Sequence, residues 1–168
     1  MRRLLAWWLL AVSLLAPWLA WGADQTWHQG TVQTWLTNST DVTNNSQILG
    51  AAVTVTNTGY MLADCEMFVN SFSGAVTAGT AITVWLLHQV DASNYEDGGT
   101  SVTPARLPDI TFPLRAVSTA QRVIRSDVRV PAGLFKPLIR NDATGVSMQG
   151  STGGVPWTLK CIAQTPQQ

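Results

Sequence analysis

From Ile48 onward the apolar residues of this 168-residue chain recur at every second position in short runs, and Gly, Pro, Asn or Asp closes the runs. A period of two marks a strand with one buried face, because successive side chains of an extended chain point to opposite sides. Val53 and Val55 alternate ahead of the turn signal Asn57-Thr58-Gly59. Residues 60–72 make a long strand candidate, and residues 80–90, rich in β-branched and aromatic side chains, make the strongest one. Ile110, Phe112 and Leu114 alternate around Pro113, whose missing N–H assigns that run to a sheet edge or a bulge. In residues 122–130 alternation puts Ile124, Ser126, Val128 and Val130 on one face and Arg125, Asp127 and Arg129 on the other. Residues 31–36, 134–140 and 157–163 supply further strands, and Asn141-Asp142 opens a turn. No helical stripe runs through residues 23–168; residues 116–122 suit one helical turn at most. Strands recurring at about 8–12 residues predict an all-β fold, a single β-sandwich or jelly roll of about eight antiparallel strands.

The N-terminus differs. Arg2 and Arg3 precede an apolar block at residues 4–19, broken only by Ser13 and Pro17. Ala20 and Gly22 then stand at −3 and −1 of a cut after Gly22, the pattern of a secretory signal peptide. The alternative is a retained N-terminal apolar helix acting as an anchor, although the block is short for a span of about 20 residues. The expected organisation is residues 1–22 as signal peptide or anchor, 23–163 as the sandwich, and 164–168 as a disordered tail. Membrane contact, on this reading, runs only through residues 4–19 if they stay uncleaved.

Charge is divided along the chain. Between Asp24 and Ala105 there are seven acidic residues and no Lys or Arg; from Arg106 on there are eight basic residues against three acidic ones. In a single sandwich two such halves interleave, so internal ion pairing is the first expectation. The alternative is complementary patches that meet between subunits, with Arg122, Arg125, Arg129, Trp35 and Trp157 as interface candidates. Nucleic acid is not an expected partner, because the part after Gly22 is slightly acidic and lacks a concentrated basic face.

Alternation sets Cys65 in phase with Met67 and Val69, and Cys161 in phase with Trp157, Leu159 and Ala163. Both cysteines therefore point to an apolar face. In an exported chain this favours a disulfide between an early and a late strand; two buried free thiols are the alternative. Neither cysteine has a second Cys or His at ligand spacing, so no metal site is expected there.

Catalytic and cofactor-binding residues are not expected. No Ser lies in a G-x-S-x-G elbow. Of the two histidines, His88 shares a strand face with Ile82, Val84, Leu86 and Val90, which suits a core histidine better than a base. Asp91 is the carboxylate nearest in sequence that would orient it. Glu96 and Asp97 are adjacent in a turn and face opposite ways, while Asp64 and Glu66 share a strand face about 7 Å apart. Asp91, Asn94 and Asp97 offer oxygens for calcium, but their spacing fits no EF-hand, and a turn held by side-chain-to-backbone bonds is the simpler reading. Trp27, Trp35 and Trp157 suit either core packing or an aromatic platform for sugars.

Residues 82–142 carry a further signal. They contain Asn94-Tyr95-Glu96-Asp97-Gly98, a Pro-bounded loop, Phe112-Pro113-Leu114-Arg115-Ala116, Thr119-Ala120-Gln121-Arg122, and the run VPAGLFKPLIRN from Val130 to Asn141. This order of motifs resembles that of small virion structural proteins of tailed bacteriophages. The resemblance covers the middle and end of the chain. It implies a jelly-roll-like sandwich located in the virion as a capsid decoration, head-fibre or tail accessory component. Such a protein would dock on capsid or tail subunits and form a homo-oligomer, without enzymatic activity. The signal-like N-terminus departs from that pattern and fits an exported carbohydrate-binding or adhesion module, periplasmic or extracellular, as the alternative.

Overall fold

The computed structural model describes residues 27–55, 61–131, 133–150 and 155–166. The expected signal peptide or anchor and its apolar helix, as well as residues 167–168 of the tail, lie outside the described residues. The chain divides into two compact units, His28–Thr165 and the terminal residues Met1–Trp27 with Pro166–Gln168; the fold below is that of the first.

The described residues form strands and loops with no helix. The strands are β1 (Trp27–Asn38), β2 (Gln47–Leu49), β3 (Val53–Val55), β4 (Met61–Val69), β5 (Ser71–Phe72), β6 (Ala81–His88), β7 (Ile110–Pro113), β8 (Gln121–Val130), β9 (Gly133–Asp142), β10 (Met148–Gln149) and β11 (Trp157–Pro166). One sheet has the order β1-β11-β4-β8, a second has β2-β9-β6-β7 with β3 also on β9, and β5 pairs with β10. The registers of β4 with β8 and β11, of β9 with β2, β3 and β6, and of β6 with β7 are antiparallel. Take β2 and β3 as one strand, since both lie along β9, and set the short β5–β10 pair aside. The first strand then pairs with the last, the second with the seventh, the third with the sixth and the fourth with the fifth.

The β2/β3 break follows from Pro137. Its carbonyl accepts from Gly50 N at 2.8 Å, and it has no N–H to return to the edge. A Cβ on Gly50 would come within 2.7 Å of the Pro137 ring and 3.0 Å of Leu36, so the chain passes here only as glycine. Pro113 acts as its position in the run predicts: β7 is short and lies at the end of its sheet.

One apolar cluster takes side chains from both main sheets, including Met67, Leu159 and Cys161 from one and Ile82, Phe112 and Phe135 from the other. In β6 every residue from Ile82 to Leu87 is buried, because Trp85 and Leu87 on the opposite face join Leu138 in a second, smaller cluster. That doubly covered environment explains the near-continuous apolar run that made β6 the clearest strand in the sequence.

Four expectations need correction. Ile124 does not share the inward face of β8; it is 60 % exposed. Between the pairs Ala63↔Val128 and Cys65↔Arg125 the register shifts by one residue, and Asp127 has φ 57°. This bulge reverses the phase, so Gln121 points inward before it and Val128 and Val130 after it. Residues 116–120 form no helical turn. That loop is closed instead by buried Gln121, which accepts from Arg115 N at 2.8 Å and donates to Arg115 O at 3.0 Å. Asn141-Asp142 does not open a turn but ends β9, where fully buried Asn141 donates to Val42 O and Val146 O. Finally, β11 runs past Ala163, with Gln164 paired to Leu62, so the ladder includes residues assigned to a disordered tail.

Candidate interaction surface

Two features of the fold present organised surface: the outer face of the β1-β11-β4-β8 sheet, and the long loop between β6 and β7.

On the sheet, inward Cys65 and Met67 leave Asp64, Glu66 and Phe68 on the outer face. The registers then set Thr158, Phe68 and Arg122 in one row and Lys160, Glu66 and Ile124 in the next, with Ile162 beside Asp64. A depression of about 180 Å3 opens here between Val32, Ile124 and Ile162 and the charged Asp64, Glu66 and Lys160. Arg122 is paired with Glu66 and stacks 4.8 Å from the Phe68 ring. Asp64 accepts from Gln164 at 2.6 Å. The face is therefore a mosaic of apolar and paired charged side chains.

The β6–β7 loop is built around Arg106. After His88 the chain reverses through a turn in which both Asp91 oxygens are used: Oδ1 accepts from Ser93 N and Asn94 N at 2.9 Å, and Oδ2 from Asn94 Nδ2 at 2.7 Å. These bonds, that from Asn94 Nδ2 first, lower the Asp91 pKa to about 2. Arg106 is bidentate to Glu96, binds Asp109 Oδ1 at 2.7 Å and reaches Leu86 O at 3.1 Å. Asp109 Oδ2 accepts from Leu86 N at 2.7 Å, and the Trp85 indole donates to Arg106 O at 3.0 Å. Lys136 lies 4.1 Å from the Tyr95 ring, and Gln47 bonds Gly99 and Thr103. The loop thereby seals the cluster of Trp85, Leu87 and Leu138, while Val90, Val102 and Leu107 stay exposed on it.

Hydrogen bonding from the Arg106 guanidinium holds the Glu96 carboxyl below its ordinary 4.5, against the opposing effect of burial. The two carboxylates push Arg106 further up still, so it stays charged. A carboxylate with a depressed folded pKa stabilises fully above its unfolded value, and that contribution is lost as pH falls through the folded value. The protection factors of the amides in residues 89–109, which are the intrinsic exchange rate at each pH divided by the observed rate, are therefore expected to fall as pH drops below 4.5, ahead of those in the sheets. At neutral pH, Arg106→Leu leaves two half-buried carboxylates without their donor and is expected to cost about 2–3 kcal/mol in urea unfolding.

The sequence-derived site residues fare unequally. Cys65 and Cys161 are bonded to each other, directly opposite in the β4–β11 ladder and both buried. Trp35 is buried and packs edge-on at 5.0 Å against Phe135, while Trp157 is fully buried and donates to Thr40 O at 3.0 Å. Neither indole is on the surface, so they form no interface and no platform for sugars. Arg125 donates to Thr111 O at 2.7 Å, tying β8 to β7; Arg122 is engaged with Glu66, and Arg129 is also partnered. Comparison of the chain with family models, curated proteins and solved structures finds no match. His88 is exposed at the end of β6 rather than in the core, and Asp91 serves its own turn rather than His88. Asn94 is bonded to Asp91 within that turn, and among the described residues no group of three His, Cys, Asp or Glu side chains is placed to hold a metal. Ion pairs of Glu66 with Arg122 and Glu96 with Arg106 join the acidic half to the basic half.

Arg106 was not singled out by sequence. Its only local signal is Asp109 three residues on; the decisive partners, Glu96 and the backbone of Leu86, come from the fold.

Proposed function

We propose that this chain is a non-enzymatic structural or interaction module of a virion, built as a jelly-roll sandwich and acting by surface docking and self-association. The observation that carries the reading is the pairing of strands one with eight, two with seven, three with six and four with five. That nesting results when one long antiparallel hairpin is rolled into two facing sheets, an architecture used by viral capsid and lectin domains. The exposed apolar residues Val32 and Ile124 on one sheet face and Val90, Val102 and Leu107 on the β6–β7 loop fit contacts with other subunits. The motif order in residues 82–142 supports the virion setting.

A second reading rests on the disulfide. Such bonds persist in oxidising compartments, which suits an exported adhesion module. The test is to fractionate a culture that carries the gene after particle release, and to probe purified particles and the periplasm with an antibody to this chain. Stoichiometric recovery in particles supports the virion reading. Recovery in the periplasm or medium, with none in particles, overturns it in favour of the exported module.

A further inference from the structure

We infer that the outer edge of β1, which no other described strand pairs with, is a self-association surface, at which two copies of this chain pair antiparallel through Gly30–Thr34; this deepens the interaction-module reading and rests on it. An exposed sheet edge is a template for another strand, and folded proteins blunt such edges with short strands, proline, bulges or charge. Three of the four edges of the main sheets are blunted. β7 is four residues long and ends in Pro113. β8 carries the Asp127 bulge and Arg122, Arg125 and Arg129. The β2/β3 edge is broken at Gly50 and tied by Gln47 to the Gly99 and Thr103 loop.

β1 differs from these three. It is twelve residues long, lies at the end of its sheet and contains no Pro, Lys, Arg, Asp or Glu. Residues Gly30 to Thr34 are all exposed, with Val32 at 54 %, before buried Trp35 ends the run.

A second copy fits this edge by its charge and its symmetry. Self-pairing of β8 would set arginines near one another, whereas self-pairing of β1 sets no like charges opposite. Centred on Val32, the midpoint of the exposed run, an antiparallel pair places Val32 against Val32, Thr31 against Gln33 and Gly30 against Thr34. A β-branched pair then sits on the two-fold axis with hydrogen-bonding side chains beside it. The partner edge has the same length and twist by identity, and the contact closes as an isologous dimer. Two four-stranded sheets become one continuous sheet.

The full chain, purified, is measured by sedimentation velocity beside Val32→Lys, Val32→Cys and Thr34→Cys. The parent is expected to sediment as two copies of 18.2 kDa, and Val32→Lys as one copy with the parent's circular dichroism and Tm. Both native cysteines are bonded, so an introduced thiol reports alone. On mild oxidation Val32→Cys is expected to become a covalent dimer, and Thr34→Cys, off the axis, is not. If Val32→Lys remains two copies, or both cysteine variants cross-link alike, the edge is not the contact, and the interaction-module reading survives on another surface. If the parent is a single copy, self-pairing is overturned. Absence from particles as well would remove the virion reading with it.

Discussion

Replacing Cys65 and Cys161 together by alanine is expected to lower the unfolding free energy by about 4–5 kcal/mol, the chain-entropy value for a cross-link spanning a separation of 96 residues. The bond joins residues that meet only when the third and last long strands of the fold come together in one sheet. It thus restricts the unfolded chain across most of the described unit. Both positions are buried in the main cluster, so alanine, unlike serine, introduces no unpaired hydroxyl there. Urea titration of the oxidised parent against the double variant measures the effect. The midpoint should fall, and the slope should rise because the unlinked denatured chain is more expanded. A loss under about 1 kcal/mol would show that the bond adds little to strands already held by packing.

Trp157→Ala is expected to cost about 3–5 kcal/mol, the range for truncating a buried aromatic side chain. Trp157 opens β11, has no exposed surface, and donates to Thr40 O at 3.0 Å across the end of the sheet. Trp157→Phe separates the two contributions. It keeps most of the volume but removes the indole donor, and should cost about 1–3 kcal/mol. Near-parental stability of the alanine variant would place Trp157 outside the core and restore it as a surface aromatic. Chemical denaturation of the parent and both variants under one set of conditions decides this.

The strands were legible where one local property dominates. β6 reads clearly because it is covered on both faces, and β7 because Pro113 cannot donate into a ladder. Cys65 and Cys161 were legible as inward-facing because both sit in clean alternation with large apolar neighbours. β8 was misread because alternation holds only within one register. The bulge at Asp127 adds a residue opposite β4 and reverses the phase, and nothing in Arg125-Ser126-Asp127 announces that. The tryptophans were ambiguous for a similar reason: an indole serves a core or a surface equally well, and only the folded chain gathers Trp35 and Trp157 into the main cluster.

By itself, the sequence determined the all-β class, most strand positions, the edge character of β7 and the inward phase of both cysteines. Each depends on neighbours within a few residues, through side-chain alternation and the backbone limits of Pro and Gly. Tertiary structure decided the strand order, the pairing of Cys65 with Cys161 in one register, the Arg106 latch and the position of β1 at the end of its sheet. These depend on which distant segments lie side by side. Arg106 meets Leu86 across 20 residues and Arg122 meets Glu66 across 56, and no local periodicity encodes such meetings. They arise when both main sheets contribute side chains to one core, because only then do buried polar groups have to find partners.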